Sequence, residues 1–302
     1  IEQRQKMISI LIPVYNFDCT DLINELRASC VLARVEYEII IGNDCSTDPS
    51  VLKSLEAISK LDRCRVINEP KNIGRAFILN KLAQLSAYPF LIIIDSDARV
   101  AKDDFIEKYI QVAVDHDVVC GGIEVRKEDA LNNNKLRYKY EQAATKSRAL
   151  EYRKNHPYEK FSTFNLLIRR SVFESIKFDS RCYQYGYEDT ILGIDLMRLN
   201  IEVLHINNPL IHTGIDSNKS FLSKTHQALQ VLKGLDVFYQ EHIRLSRVAL
   251  RLKRYHLLPL MKLWHEIFGK LEYKSLLTCP SVNMFYLYKL GYFSCLLSKK
   301  RK

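Results

Sequence analysis

The chain has 302 residues, of which 47% are hydrophobic and 26% charged, so it is long enough to bury a sizeable core and has the composition of an ordinary globular protein. Its formal net charge of +10 is concentrated at one end, because residues 241–302 hold 13 Lys and Arg against 3 Asp and Glu, while residues 1–240 are formally neutral. A neutral bulk without a recognition motif argues against a nucleic-acid-binding protein.

Cysteine usage and hydropathy indicate the compartment. The eight cysteines include no CxxC pair, and several lie within apolar patterns, which indicates reduced core thiols rather than a disulfide framework or a zinc site. No apolar run reaches the roughly 18 to 20 residues that span a bilayer, and MISILIPV is too short for the hydrophobic region of a signal peptide. We therefore predict a cytoplasmic protein.

Strands alternate with helices through the first hundred residues. The predicted strands are short, β-branched and mostly apolar: residues 8–14, 37–42, 65–68 and 90–94. Between them, apolar residues recur at helical spacing, and Asp48-Pro49 is a typical helix start. This alternation predicts a largely parallel α/β sheet, whose ligands bind beyond the carboxyl ends of the strands.

The later part of the chain is more varied. After a helix opened by Asp103-Asp104, the predicted elements are a strand in DVVCGGIEV, a helical stretch over 135–155, a strand in FSTFNLLI, a helix from Glu188 and a strand in IEVLHIN. Beyond about residue 240 the pattern is helical, basic and aromatic.

The segment LIIIDSDARV ends a buried strand in two carboxylates. Alternation along an extended chain would point Asp95 and Asp97 to the same side, where they could share a hard cation that also binds phosphate oxygens. Alternatively, one of them caps the next helix and the other is solvated. A phosphatase of the haloacid dehalogenase type also uses D-x-D after a strand, but Arg99 stands where that class has Thr or Val, and no later G-D-x-x-x-D cluster follows.

Four further positions have both a functional and a structural interpretation. Asp44 could accept a hydrogen bond from a nucleobase imide or simply belong to a turn. Arg75 could face a diphosphate or simply belong to an ordinary helix start. Asp189, beside Glu188 at a helix N-terminus, could act as a general base toward a sugar hydroxyl or as a cap. His212 could be a metal ligand or a hydrogen-bonded structural histidine.

Seven segments, in this order, resemble the family 2 glycosyltransferases with the GT-A fold, over about residues 7–225. They are ISILIPVYN, IIIGNDCSTD, NIGRAFILN, IIIDSDA, FNLLIRR, GYEDTILGIDL and NPLIHTG. The resemblance implies a mostly parallel α/β sheet flanked by helices in residues 1–240, with nucleotide-sugar binding in about 1–115 and the acceptor and catalytic half in 116–240. Residues 241–302 would form a basic, aromatic, helical extension.

The resemblance also implies roles on the donor side. The donor-binding residues it implies are Pro13, Val14, Tyr15, Asp44, Arg75, Asp95, Ser96 and Asp97. Among them, Asp44 would read the base in a pocket lined by residues 13–15. Asp95 and Asp97 would form the DXD motif, which positions the ribose and a Mg²⁺ or Mn²⁺ on the diphosphate, and His212 would complete the metal shell.

The implied reaction is a single inverting displacement. The metal stabilises charge on the leaving diphosphate, while Asp189, next to Glu188, takes the proton of the acceptor hydroxyl. Two positions depart from the family pattern, since Asn43 stands where another Asp is common and Leu79 replaces a common Arg. Arg75 would then have to supply the missing charge.

Tyrosines crowd the segment before the Glu-Asp motif. Tyr183, Tyr185 and Tyr187 could stack on an acceptor sugar or pack under the catalytic loop. Gly186 and Asn165 fall in family motifs near the acceptor cleft.

The C-terminal region mixes basic groups with Leu, Tyr, Phe and Trp264. This pattern fits a helix lying on an anionic membrane, and it fits equally a helical cap on the catalytic domain with a solvated basic face.

Together these features predict a hexosyltransferase that moves a sugar from a UDP-sugar to a glycan or lipid-linked acceptor, at the cytoplasmic face of the membrane, in the synthesis of a cell-envelope polysaccharide. A nucleotidyltransferase with the same acidic metal site and a non-catalytic glycan-binding relative are the alternatives.

Overall fold

The chain forms two compact units in this computed structural model, which describes residues 7–126, 131, 133–179 and 185–298. The first unit comprises Ile1–Arg126, Lys146–Tyr183 and Glu188–Gly214. The second comprises Lys127–Thr145, Gln184–Tyr187 and Ile215–Lys302. Residues 215–240, which the sequence pattern grouped with the catalytic domain, therefore lie with the C-terminal helices.

Two sheets organise the first unit. The strands are β1 (Met7–Val14), β2 (Glu36–Asn43), β3 (Cys64–Asn68), β4 (Phe90–Ile94), β5 (Ala98–Val100), β6 (Val118–Cys120), β7 (Ile123–Glu124), β8 (Asn165–Arg169), β9 (Leu204–His205) and β10 (Leu210–His212). The large sheet has the order β3-β2-β1-β4-β8-β6-β9, and the small one β5-β10-β7. In the large sheet β8 alone among the described strands runs antiparallel to its neighbours, β4 and β6, so the predicted mostly parallel sheet is confirmed.

Helices cover the sheet and build the C-terminal unit. They are α1 (Thr20–Leu32), α2 (Pro49–Ser59), α3 (Arg75–Leu85), α4 (Phe105–Val112), α5 (Lys135–Ala143), α6 (Thr145–Arg148), α7 (Leu150–Asn155), α8 (Arg170–Ile176), α9 (Glu188–Arg198), α10 (Asn218–Gly234), α11 (Val237–His242), α12 (Arg244–Arg254), α13 (Leu258–Thr278) and α14 (Val282–Ser298). The predicted start of α2 is confirmed, because the Asp48 side chain accepts a hydrogen bond from the Ser50 amide with Pro49 at the first position.

The central strands are buried on both faces. Every residue of β4 is buried, and in β1 only Met7 and Pro13 are partly exposed. Such continuous apolar runs are typical of parallel strands covered by helices. The carboxyl ends of these strands are therefore held rigidly by the core.

Two predicted elements are shorter than their patterns. The helical stretch over 135–155 is three helices, with breaks at Ala144 and at Ala149, and Ala149 adopts an extended backbone conformation before α7. The strand predicted in IEVLHIN is limited to Leu204–His205, which pairs only with β6 at the sheet edge.

The second unit is helical, as predicted for the basic C-terminal region. Its core is formed by aromatic and leucine side chains of α5, α10, α13 and α14: Leu136, Phe221, Leu222, Leu276, Phe285 and Tyr288. No helix in the described part of the chain is long and apolar enough to cross a membrane. The seven cysteines within the described residues are free thiols. Cys19, Cys30 and Cys120 are buried, whereas Cys279 is exposed; Cys182 lies outside those residues.

Candidate active site

The two acids of the predicted DXD motif diverge at the end of β4. The Ala98 amide donates to the Asp95 carbonyl at 3.1 Å, so residues 95–98 form a turn and not the extended chain we expected. Ser96 lies in this turn and is partly exposed. Asp95 faces Arg75, whereas Asp97 faces His212.

Arg75 joins the first of these acids to the predicted base. Its Nε and Nη2 atoms donate to Asp95 Oδ1 at 2.8 and 2.6 Å. Its Nη1 atom lies 3.5 Å from Asp189 Oδ1. Arg75 is the first residue of α3, after Gly74, whose φ of 87° suits glycine. A single guanidinium therefore holds both carboxylates at the carboxyl edge of the sheet.

Partial burial shifts the pKa values within the group formed by Arg75, Asp95 and Asp189. The side chains of Arg75 and Asp95 are 20% and 27% exposed. Burial raises the pKa of Asp95 to about 6, with Arg75 opposing the rise and Asp97 adding to it. Burial alone would lower the pKa of Arg75, but the carboxylates of Asp95, Asp189 and Glu188 outweigh it and raise that pKa above its usual value. The guanidinium is thus a permanent positive charge.

Asp189 lies in the first turn of α9, as predicted, and its carboxylate is fixed by the segment before β8. Oδ2 accepts hydrogen bonds from Ser162 Oγ and the Thr163 amide, each at 3.1 Å. Oδ1 accepts another from Thr163 Oγ1. Ser162 and Thr163 were not predicted as site residues, because neither their spacing nor their residue type links them to a helix that begins later in the chain. These donors set the orientation of the carboxylate.

Asp97 and His212 meet because β10 pairs antiparallel with β5. His212 Nε2 lies 3.1 Å from Asp97 Oδ2, and the imidazole packs edge-on against Phe164. The Asp97 carbonyl accepts from the Thr213 amide at 2.9 Å and from its hydroxyl at 2.8 Å. A Cβ at Gly214 would lie 2.2 Å from Asp97 Oδ2, so only glycine leaves room for this carboxylate. Thr213 and Gly214 are supporting residues that the sequence analysis did not assign.

The predicted metal ligands are only partly brought together. Within the described residues no group of three His, Cys, Asp or Glu side chains could hold a metal ion, because Asp95 is paired with Arg75. Asp97 and His212 do present a carboxylate oxygen and an imidazole nitrogen at one point. A divalent cation that takes further oxygens from a diphosphate and water needs one or two protein ligands, so this pair fits such an ion.

Asp44 is nearly buried and bonded to the loop before α3. Its two carboxylate oxygens accept from the amides of Ile73 and Gly74 at 2.7 and 2.9 Å. Asp44 therefore fixes the start of α3 and with it the position of Arg75. This structural role does not depend on any contact of Asp44 with a ligand. Asn43, which stands where the family commonly has Asp, has a structural role. Its side chain accepts a hydrogen bond from the Ser46 amide and donates one to Asn68 Oδ1.

The other residues of the predicted base pocket differ in exposure. Val14 was predicted to line the base pocket, but it is 1% exposed and its side chain packs in the core instead. Pro13 is partly exposed, and Tyr15, at 53% exposed, is accessible to a ligand. A base pocket at this position would therefore rest on Tyr15.

The residues predicted for the acceptor side lie in different environments. Asn165 is 2% exposed, and its side chain bonds to the Gly122 and Asn208 carbonyls and to the Tyr109 hydroxyl. Its polar atoms are thus used within the fold, and its role is structural. For Tyr185, Gly186 and Tyr187, contact with an acceptor stays a prediction.

Those three residues belong to the second unit, and Tyr183 lies outside the described residues. Gly186 and Tyr187 both have positive φ, 126° and 65°. A Cβ at Gly186 would lie 2.3 Å from the Ala228 side chain. Tyr185 is 42% exposed, and Lys224 lies 5.4 Å from its ring centroid. The segment is therefore a constrained turn that exposes one aromatic ring.

Comparison with known proteins identifies the family. The sequence model described as "Glycosyl transferase family 2" matches residues 9–177, more than half of the chain. The chain belongs to glycosyl transferase family 2. This glycosyltransferase is 25% identical over 193 residues to an uncharacterized glycosyltransferase of Haemophilus influenzae, covering 64% of our chain and 72% of that one. It also matches an uncharacterized protein of Sinorhizobium fredii with 26% identity over 105 residues, but spans only 12% of that protein's length.

Solved structures share the fold of this glycosyltransferase. A mannosyltransferase from Pyrobaculum calidifontis, in complex with GDP-Man and Mn²⁺, superposes with a TM-score of 0.58 at 10% identity, over 97% of our chain and 88% of that one. TarS 1–349 of S. aureus in complex with UDP-GlcNAc has a TM-score of 0.54 at 14% identity, over 96% and 90% of the two chains. The GT-A fold with a helical C-terminal extension is thereby confirmed.

Proposed function

We propose that this family member transfers a sugar from a nucleotide-sugar donor to a hydroxyl group, with inversion at the anomeric carbon. The observation that carries the proposal is the Arg75-mediated link between Asp95 and Asp189. Asp97 lies on the same turn as Asp95 and pairs with His212 of β10. A pair of side chains that can hold a cation on the diphosphate and a separate, fixed carboxylate for the acceptor are what a single displacement needs. Membership of a glycosyltransferase family favours this reaction over a nucleotidyltransferase.

The role we assign to each side chain follows from its contacts. Asp189, held by Ser162 and Thr163, would accept the proton of the attacking hydroxyl. Arg75 would keep that carboxylate in position, and its positive charge would stabilise the negative charge that develops on the leaving diphosphate.

A divalent cation belongs to the same proposal. Asp97 and His212 would hold Mg²⁺ or Mn²⁺, and Mn²⁺ suits mixed carboxylate and imidazole ligation. When bound, such an ion stabilises negative charge on the diphosphate. One fold neighbour is in complex with Mn²⁺, which supports this assignment.

We favour a UDP-sugar as the donor, a hexose as the transferred group and a glycan or lipid-linked acceptor at the cytoplasmic face of the membrane. Fold neighbours were solved with GDP-Man, UDP-GlcNAc and UDP, which supports a nucleotide-sugar donor. Tyr15, exposed at the end of β1, offers a ring for the base to stack on.

Ligand-induced thermal stabilisation tests donor and cofactor together. A panel of UDP-, GDP- and other nucleotide-linked sugars is added to the protein with Mn²⁺, with Mg²⁺ or with EDTA. We expect one nucleotide class to raise the melting temperature only when a divalent cation is present, and nucleoside diphosphate to be released on incubation. Stabilisation without nucleotide release, over a panel of acceptors, would instead identify a non-catalytic relative.

A further inference from the structure

An unpartnered apolar face runs along α13 in the second unit. The residues that this helix buries are Leu258, Gly269, Glu272 and Leu276. Its exposed apolar side chains recur at spacings of three and four: Leu260, Leu263, Trp264, Ile267, Phe268 and Leu271. Their exposed fractions run from 38% for Phe268 to 63% for Leu271. Because this spacing follows one side of an α-helix, these six residues form a continuous surface, the α13 face.

The α13 face continues into a groove beside α14. This cavity of about 470 Å³ is lined by Trp264, Phe268 and Leu271 of α13 and by Met284 and Leu287 of α14, among others. An exposed apolar surface of this continuity marks an interaction site. Within this lining, Trp264 Nε1 donates a hydrogen bond to Glu272 Oε1 at 2.9 Å.

A row of exposed arginines precedes this face. Arg244, Arg247, Arg251 and Arg254 are three or four residues apart on α12, all are exposed, and none makes an ion pair with another residue that the structure describes. The buried residues of α12 are Ser246 and Ala249, which leaves the arginines on another side of the helix. We call these four residues the α12 arginine row. Lys270 and Lys274, also exposed, add positive charge along α13.

We propose that the α13 face and the α12 arginine row together bind the surface of an anionic lipid bilayer. Apolar side chains on one side of a helix enter the boundary between headgroups and acyl chains, while arginines pair with anionic headgroups. A second copy of the chain is the less suitable partner. A symmetric contact would bring together two regions that each hold 13 Lys and Arg against 3 Asp and Glu.

The single tryptophan of the chain gives a direct readout, because Trp264 lies on the α13 face at 41% exposure. Full-length protein is mixed with vesicles of phosphatidylcholine alone or of equimolar phosphatidylcholine and phosphatidylglycerol. We expect a blue shift of Trp264 emission, quenching by acyl-chain bromines and co-sedimentation with the anionic vesicles, weakening as salt rises. This test is independent of the proposed glycosyl transfer, since it measures no turnover.

Two variants separate the contributions of the α12 arginine row and of the α13 face to vesicle binding. R244Q/R247Q/R251Q/R254Q should lower vesicle affinity on the order of fivefold per arginine, while L260Q/I267Q should abolish the blue shift and leave a salt-sensitive residual attraction. The matched control K53Q/K102Q/K146Q/K219Q removes the same charge from exposed lysines elsewhere and should bind as wild type. Circular dichroism confirms that each variant is folded.

Three outcomes would overturn the proposal. One is the failure of folded wild-type protein to bind anionic vesicles. Another is a loss of binding in the lysine control equal to that in the arginine variant. This would show that binding depends on the net charge of the protein and not on the α12 arginine row. The third is a concentration-dependent blue shift without vesicles, together with a dimer mass in sedimentation, which would assign the α13 face to a second copy.

Discussion

The guanidinium of Arg75 donates two hydrogen bonds to a single carboxylate oxygen of Asp95, at 2.8 and 2.6 Å. The same group lies 3.5 Å from Asp189, so one cation connects the turn after β4 to the N-terminus of α9. Leu79, which stands where the family commonly has Arg, is fully buried. Arg75 therefore supplies positive charge to this site from the first residue of α3.

Loss of this cation should destabilise the fold. Arg75→Gln leaves two partly buried carboxylates facing each other, and we expect the free energy of unfolding to fall by about 3 kcal/mol, measured by urea denaturation. The matched control is Arg99→Gln. Arg99 is itself 42% exposed and pairs with the exposed Asp21 and the partly exposed Glu25, so its loss should cost less than about 1 kcal/mol. Adding Asp95→Asn to Arg75→Gln should restore part of the stability, and full additivity would contradict the coupling.

Cation binding should depend on Asp97 and His212 more than on Asp95. Asp97→Asn and His212→Gln each remove one of the two ligands, so we expect Mn²⁺-dependent nucleotide binding to be lost in calorimetry. Thr213→Val removes only the hydroxyl that donates to the Asp97 carbonyl. This change should weaken Mn²⁺-dependent nucleotide binding about tenfold. Equal binding by wild type and Asp97→Asn would show that the cation lies elsewhere.

The space at Gly214 should be needed for the Asp97 carboxylate. In Gly214→Ala the new methyl group would lie 2.2 Å from Asp97 Oδ2, so the acid must move, and nucleotide binding in the presence of Mn²⁺ should weaken. Gly234→Ala is the matched control, since a Cβ there meets nothing within 4 Å. Similar affinities in the two variants would argue against the crowding that we infer.

Thr163 should act as a positioning residue for Asp189. In Thr163→Val the hydroxyl donor to Asp189 Oδ1 is lost while the amide donor to Oδ2 remains. We expect kcat to fall on the order of 10²-fold with little change in the KM of the donor, because misplacement of a reacting group affects the chemical step. Thr163→Ser, which keeps the hydroxyl, should recover most of the rate, and a failure of this rescue would point to packing instead.

The second unit should lose stability in mild acid. Burial lowers the pKa of His265, and burial together with His265 lowers that of His226. Each histidine then binds fewer protons in the folded than in the unfolded state, so its contribution is present above the unfolded pKa of about 6.5 and is lost as pH falls below it. We expect the unfolding free energy to fall less steeply from neutral pH to about pH 5 in H226Q/H265Q than in wild type. If the unfolding free energy depends on pH in the same way in both proteins, the two histidines are not the origin of the acid sensitivity.

The sheet and the position of the candidate site could be predicted because both follow from local patterns. Apolar runs in β1, β2 and β4 identify buried parallel strands, and the rule that ligands bind at their carboxyl ends places Asp44 and Asp97 at one edge. The pairing of β5 with β10 then brings His212 to Asp97, as the family resemblance implied.

The remaining features depend on contacts that no local pattern encodes. At Asp95 the chain turns, with the Ala98 amide bonded to the Asp95 carbonyl, and the Asp95 carboxylate pairs with Arg75 from another element. Ser162 and Thr163 hold Asp189 only because β8 inserts antiparallel beside β4. Val14 follows the apolar strand pattern and therefore packs in the core, although the resemblance assigned it to a pocket.

The proposal that Asp189 is the general base is tested most directly by Asp189→Asn, which keeps the shape of the side chain and removes its charge. Nucleoside diphosphate release is measured with the donor and acceptor found by screening, and donor affinity is measured by calorimetry, with surface Asp115→Asn as the control. We predict that turnover falls by about 10²–10⁴-fold while donor affinity is retained. Turnover close to that of Asp115→Asn would contradict the account.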